Sequence, residues 1–218
     1  MMNVEQARFN MVEQQIRPWE VLDQNVLDLL MSLKREAFVP AASRDLAFAD
    51  LEIPLGYGES MLPPKIEARI LQEVAPRPAD SVLEVGTGSG YMAALLAGMG
   101  KHVTSVEIRP ELVAMAAQNL RAQDVLNVTV ELGDGARGWP ARAPYDVIVL
   151  SGSTPVLPDS LLAQLRVGGR LCAIVGDAPL MEARLVTCVG DGVFRTVDLF
   201  ETCVKPLHNA AQPERFVF

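Results

Sequence analysis

Ser81-Val82-Leu83-Glu84-Val85-Gly86-Thr87-Gly88-Ser89-Gly90-Tyr91 is the stretch whose reading decides the fold. An apolar strand carries an acid near its end. Three glycines follow at alternate positions, and the apolar run Met92-Ala93-Ala94-Leu95-Leu96-Ala97 continues as a helix. A strand, a tight turn and a helix in that order open a doubly wound α/β sheet. Glycines serve in the turn because a Cβ would obstruct both the sharp backbone path and the close approach of a ligand. The first N–H groups of the helix lack partners within it and offer donors to a ligand's polar atoms.

The spacing separates two cofactor classes. Dinucleotide folds use Gly-x-Gly-x-x-Gly, whose last glycine would fall on Tyr91. The order found, Glu84-Val85-Gly86-Thr87-Gly88-Ser89-Gly90, instead resembles the pattern of methyltransferases that bind S-adenosylmethionine (SAM). Downstream segments keep the phase. The strand Val103-Thr104-Ser105-Val106 ends at Glu107, about 20 residues past the first glycine, where an open α/β fold places an acid for ribose hydroxyls. A third strand, Val128–Leu132, runs into Gly133-Asp134-Gly135, an acid placed to meet an adenine amino group. A fourth, Asp146–Leu150, opens into Ser151-Gly152-Ser153, and Gly168-Gly169 precedes a fifth, Arg170–Val175. All of these groups arrive at one edge of a mostly parallel, Rossmann-like sheet with helices on both faces, the edge where such folds bind ligands.

Composition narrows the class. The 218 residues suffice for one α/β unit with an N-terminal extension. Half the residues are hydrophobic, but no run of about 18 apolar residues predicts a membrane span. Glu5, Arg8 and Glu13 interrupt the first segment, so it does not form the apolar stretch of a secretory signal. Cys172, Cys188 and Cys203 are widely spaced, with neither a Cys-x-x-Cys pair nor metal-ligand spacing. They predict reduced thiols in a cytoplasmic protein without a metal. A net charge of −8 argues against a nucleic-acid partner, because such binders present basic surfaces.

The chain divides into an N-terminal helical cap and acceptor loop, residues 1–78, and a sheet domain, residues 79–218, forming one compact unit. Val4, Met11, Val12 and Ile16 predict a first helix ended by Pro18, with Arg8 as the polar exception on its apolar stripe. Val26, Leu27, Leu30 and Leu33 predict a second, with Asp23 as N-cap. A third runs from Lys65 to about Glu73. Residues 183–189 and 194–200 flank Gly190-Asp191-Gly192, a hairpin signal suited to an antiparallel sheet edge. The tail from His208 to Glu214 is polar and has the composition of a mobile segment, although Phe216-Val217-Phe218 could pack on the body. Trp19 and Trp139 are expected to serve packing, and His102 to lie at the sheet edge away from the ligand.

Beyond the glycine turn, longer blocks resemble the protein-L-isoaspartate O-methyltransferase family. They include Arg35-Glu36 with Phe38-Val39-Pro40, Ala49-Asp50 with Ile53-Pro54-Leu55-Gly56, Gly133-Asp134-Gly135, Gly138-Trp139, Ala143-Pro144-Tyr145-Asp146 and Val204-Lys205-Pro206-Leu207. The resemblance implies a repair methyltransferase whose partner is a damaged peptide or protein. Gly86, Thr87, Gly88, Ser89 and Gly90 would wrap the methionine part and ribose of SAM, and Glu84 would order that loop. Glu107 with Ile108 would hold the ribose, and Asp134 with Gly135 the adenine.

The acceptor loop departs from the family pattern. Members usually carry Thr-Ile-Ser-Gln-Pro there, with the serine tied to activity on the isoaspartyl group. The matching residues are Ser60-Met61-Leu62-Pro63-Pro64. Leucine cannot donate a hydrogen bond, and proline also lacks a backbone N–H. Ser60 keeps a hydroxyl and is the candidate catalytic residue, while Ser151, Ser153 and Thr154 offer hydroxyls from the other side. A carboxylate acceptor needs no general base, whereas an amine or hydroxyl acceptor does. The chain has two histidines, and only His208 falls in a segment that the family places near the substrate. Three readings therefore stand: isoaspartyl methyl transfer, transfer to another acceptor, and a SAM-binding sensor without transferase activity. A dinucleotide oxidoreductase is disfavoured by Tyr91.

Overall fold

The structure is a computed structural model, described here for residues 3–213. Its centre is a seven-stranded sheet built from β3 (Ser81–Val85), β4 (His102–Glu107), β5 (Val128–Leu132), β6 (Tyr145–Thr154), β7 (Leu165–Asp177), β8 (Leu180–Gly190) and β9 (Val193–Thr202). Their order is β5-β4-β3-β6-β7-β8-β9. The first five strands in sequence pair in parallel, and β8 and β9 add antiparallel. The chain leaves β3 for β4 on one side and later returns to β6 on the other, so the carboxyl ends of β3, β4 and β6 form a topological switch point.

Strand alternation divides the interior into two layers. Val82, Val103, Val147, Val149 and Cys172 face one layer; Leu83, Val85, Val106, Ile148, Leu150 and Leu171 face the other. The first layer packs on α3 (Pro64–Val74), α4 (Tyr91–Met99), α5 (Pro110–Ala122) and the N-terminal helices. The second is covered more thinly, by α6 (Asp159–Leu162) and the irregular segment around Trp139. Long apolar runs occur in the central strands because both of their faces are buried.

The N-terminal part follows its predicted order with one refinement. Helix α1 (Val4–Met11) passes into a π-helical turn at Val12–Ile16 and a 3₁₀ turn at Arg17–Trp19, so Pro18 sits inside the terminating turn. Arg8 is buried between Glu5 and Glu36, a cross-link to the Arg35 segment that its place on the apolar stripe did not suggest. Helix α2 (Gln24–Ser32) is capped by Asp23, whose side chain accepts from Asn25 N. A two-stranded hairpin, β1 (Ile53–Gly56) and β2 (Glu59–Met61), then delivers the acceptor loop to the sheet edge. Pro64 opens α3, where its missing N–H costs nothing.

Two strands are longer than their apolar cores predict. β6 continues through Ser151-Gly152-Ser153-Thr154, because the segment after β9 returns and pairs with it: Ser153 N donates to Lys205 O, and Leu207 N donates to Ser153 O. β7 extends at both ends beyond Arg170–Val175, held by β8 across the whole Arg170–Asp177 span. The hairpin around Asp191-Gly192 forms as expected, with Gly190 opposite Val193. The C-terminal segment lies on the body as far as Ala211, which is buried; the expected packing of Phe216-Val217-Phe218 lies outside the described residues. Among the described residues, no helix is long and apolar enough to cross a membrane. The three cysteines are free, with Cys172 and Cys188 buried and Cys203 exposed.

Candidate active site

The glycine turn after β3 runs through three residues of positive φ, Gly86, Gly88 and Gly90. Gly90 caps α4 at φ +88°, and a Cβ there would lie 3.3 Å from Ala116 Cβ and Leu120 Cγ. It therefore brings α4 against α5 rather than lining a cavity. Gly86, at φ +94°, sits where a Cβ would press on Leu207 and Ser151. These two glycines make the turn possible for steric reasons as well as conformational ones.

A cavity opens over the carboxyl ends of β3, β4 and β6, enclosing about 720 Å³ of empty space that is continuous with solvent. Its floor is formed by Gly86, Gly88, Glu107, Ile108, Asp134 and Gly135, and its rim by Glu59, Ser60, Leu62, Lys205 and His208. A smaller recess of about 280 Å³ adjoins it through Ser60, Leu62, Gly86, Gly88 and Ser151, and is walled by Glu84, Thr87, Ser89 and Tyr91. All the expected cofactor residues except Gly90 thus line one of two connected spaces.

Each acid is held differently. Glu107 Oε2 accepts from Gly88 N at 3.0 Å and Oε1 from Arg109 N at 3.0 Å, so the carboxylate is fixed at the end of β4 with lone pairs to spare. Asp134 Oδ1 accepts from Ala136 N, and Oδ2 from Asn209 Nδ2 at 2.8 Å. Glu84 is fully buried beneath the glycine turn. It lies beside Ser105 in the parallel register, and accepts from Ser105 Oγ at 2.6 Å and Ser151 Oγ at 2.9 Å. Burial pushes its carboxyl up to about 8 despite those two hydroxyls, with the charges of Glu67 and Glu107 adding to the rise. Glu84 is thus mostly protonated at neutral pH before any cation arrives.

Beneath the acceptor loop lies a buried ion pair. Arg35, fully enclosed, donates to Glu67, to Ala47 O at 2.9 Å and to Leu62 O at 2.7 Å, and stacks 4.8 Å from the Tyr91 ring centroid. Burial pushes the Glu67 carboxyl above the usual carboxylate range, while the Arg35 charge and hydrogen bond pull it back. The Leu62 carbonyl is therefore committed to the protein, and its side chain presents only methyl groups to the cavity. Ser60 lines both spaces, and its Oγ donates to Glu52 Oε2 at 2.6 Å.

The hydroxyls after β6 are not equivalent. Ser151 faces the cavity, but Ser153 Oγ donates to Val204 O and Thr154 Oγ1 to Val156 O, so neither joins the polar wall that the sequence suggested. Trp19 packs edge-on against Phe200, and Trp139 packs beneath Gly133; neither lines the cavity or its adjoining recess. His102 is at the far end of β4 beside Thr129, where burial and the Arg142 charge lower its pKa. His208, by contrast, is at the rim, 2.8 Å from Glu59 Oε1. Glu59 also accepts from Arg109 Nε at 3.0 Å and from Lys205 Nζ at 2.8 Å. Burial tends to raise its pKa, but the donors from His208, Lys205 and Arg109 prevail and hold it at about 2. Glu59, Glu67 and the role of Arg35 were not visible in the sequence, since their partners lie far along the chain.

The family model described as protein-L-isoaspartate(D-aspartate) O-methyltransferase matches residues 6–209. A protein-L-isoaspartate O-methyltransferase from Rhodopseudomonas palustris is 41% identical over 208 residues, covering 94% of this chain and 95% of the relative. One from Methanoculleus marisnigri is 40% identical over 201 residues, covering 92% and 90%. A solved protein-L-isoaspartate O-methyltransferase superposes with a TM-score of 0.80 at 24% identity, over 93% of this chain and 66% of its own. A Plasmodium falciparum structure, described as a putative member in complex with S-adenosyl-L-homocysteine, superposes with a TM-score of 0.78 at 17% identity, over 95% and 99%. These two structures support the fold.

Proposed function

The chain belongs to the protein-L-isoaspartate(D-aspartate) O-methyltransferase family, and from that premise we propose how it works. It is a SAM-dependent methyltransferase acting on the carboxylate of L-isoaspartyl residues in damaged proteins. The observation that carries this reading is the single cavity in which the glycine turn, Glu107 and Asp134 meet the acceptor loop. The residues suit SAM by chemistry. Two carboxylates with unused lone pairs stand at the ends of adjacent strands, and a buried carboxyl at Glu84 gains charge readily once a cation is near. SAM supplies a methyl group already activated by its sulfonium.

We assign the ribose to Glu107 and Ile108, the adenine to Asp134 and Gly135, and the methionine end to Glu84 and the Gly86–Ser89 turn. Gly90 supports that turn from behind. Ser60 stands at the junction of the two spaces and carries the side-chain hydroxyl of the acceptor loop, which in this structure donates to Glu52. The acceptor carboxylate is charged at neutral pH, so the protein's task is alignment and exclusion of water rather than removal of a proton. Leu62, buried at the rim, contributes to that exclusion. A second reading, transfer to another acceptor, rests on one observation: residues 62 and 63 offer the cavity no side-chain donor. We place the activity in the cytoplasm, where free thiols such as Cys172, Cys188 and Cys203 persist.

The test is transfer of labelled methyl from SAM to an isoaspartyl peptide, beside the matching aspartyl peptide. Base-labile label on the isoaspartyl peptide alone is the expected result. Label on neither, with SAM binding intact by calorimetry, would shift the reading to another acceptor or to a sensor.

A further inference from the structure

The acceptor in the reading above is an anion, yet the cavity it enters is walled by acids. Glu52, Glu59, Glu107 and Asp134 all line it, in a protein of net charge −8. A carboxylate brought to such walls is repelled unless a cation receives it. The acceptor loop supplies none. Among the described residues lining the cavity, the cationic or protonatable side chains are Lys205 and His208.

We propose that Lys205 is the anion-binding residue of the acceptor site, receiving the substrate carboxylate on its ammonium group with His208 beside it, and that Glu59 holds the two in place. The inference rests on the isoaspartyl reading of the acceptor.

Three observations carry it. Lys205 Nζ donates to Gly58 O at 2.8 Å and to Glu59 Oε2 at 2.8 Å. An ammonium has three donors, so one is left for a ligand; the side chain is 43% exposed, and the residue lines the cavity. The Lys205 backbone is pinned, since its carbonyl accepts from Ser153 N and anchors it to the end of β6 beside Ser151. The ammonium therefore projects from a rigid base. Finally, Glu59 is one carboxylate facing two permanent cations, Arg109 and Lys205, and also His208. Within this cluster of Glu59, Arg109 and Lys205 one positive charge is in surplus, in otherwise acidic surroundings. Glu59 also shows that a carboxylate can be held by this set of donors, with Lys205 on one oxygen and Arg109 and His208 on the other.

The experiment uses the whole protein with a synthetic isoaspartyl peptide. Lys205→Met is expected to raise the peptide KM by about tenfold, the loss of one charge-assisted hydrogen bond at a partly exposed site. Its affinity for SAM, measured by calorimetry, should stay within about twofold, since a general loss of structure would weaken both ligands. Lys205→Arg should recover most of the KM. A second readout needs no variant: the wild-type peptide KM should climb as salt is raised from about 50 to about 500 mM, and more steeply than in Lys205→Met. If the wild type esterifies the isoaspartyl peptide while Lys205→Met keeps its KM, or the wild-type KM ignores salt, the assignment of Lys205 falls and the function stands. If the wild type neither binds nor esterifies the peptide, the isoaspartyl reading falls and takes this assignment with it.

Discussion

Replacing Glu84 with glutamine should make the cofactor-free protein more stable at neutral pH than at acid pH, relative to the wild type. Glu84 is fully buried, and its pKa rises from 4.5 to about 8 on folding. A carboxyl raised in this way contributes its full stability only below the unfolded value, and that contribution is lost as the pH climbs toward the folded value. At pH 5 the unfolded chain gains about 1 kcal/mol by ionising Glu84; at pH 7 it gains about 3 kcal/mol. Glutamine has nothing to ionise, so the variant escapes this penalty. Its amide can accept from one of Ser105 and Ser151 and donate to the other, so any change in hydrogen bonding is nearly independent of pH. Urea unfolding of both proteins at pH 5, 6, 7 and 8 measures the difference. The stability gap should widen by about 2 kcal/mol in favour of Glu84→Gln between pH 5 and pH 7. Parallel pH profiles would refute the reasoning, since they would mean that Glu84 is ionised in the native protein.

Other substitutions probe other parts of the site. Arg35→Met strands Glu67 in the interior and frees the Leu62 and Ala47 carbonyls, and should cost about 3–5 kcal/mol in urea unfolding. Adding Glu67→Leu should return much of that loss, and a double variant as unstable as the single would argue against the pair. Asp134→Ala removes the acceptor at the end of β5 and should weaken SAM binding by about tenfold in calorimetry. Unchanged affinity would remove Asp134 from the adenine site. Leu62→Ser with Pro63→Gln restores donors to the acceptor loop and should raise turnover of an isoaspartyl peptide. No gain in a folded, SAM-binding variant would show that the loop is not what limits this acceptor.

The acceptor loop and the C-terminal strap meet over one cavity, and that meeting organises the site. Gly152 permits it: a Cβ there would lie 2.8 Å from Leu207 Cδ2 and 3.3 Å from Lys205 O. The strap also reaches the far end of the cavity, where Asn209 donates to Asp134. A cofactor seated on Glu107 and Asp134 would thus lie under a strap tied down at β6, at Glu59 and at Asp134.

What the sequence by itself determined was everything encoded within a short span. The run from Ser81 to Tyr91 specifies strand, turn and helix, because a short apolar run and alternating glycines act through local backbone geometry. The positions of Glu107 at the end of β4 and of Asp134 two residues past β5 were legible for the same reason, since each follows a strand that local sequence announces. Asp23 as a cap and Asp191-Gly192 as a hairpin turn are equally local. Only the tertiary structure decided the contacts that cross the chain. Arg35 and Glu67 are 32 residues apart, and Glu59 and Lys205 are 146 apart. No periodicity records such pairs, because a charged side chain has the same local signature whether it meets water or a buried partner. The extension of β6 through Ser153 was hidden likewise, since a strand's length depends on the neighbour that pairs with it. Leu62 and Pro63 could be read as a loss of donors, but the cations that stand opposite that loss became visible only when the fold brought the two ends of the chain together.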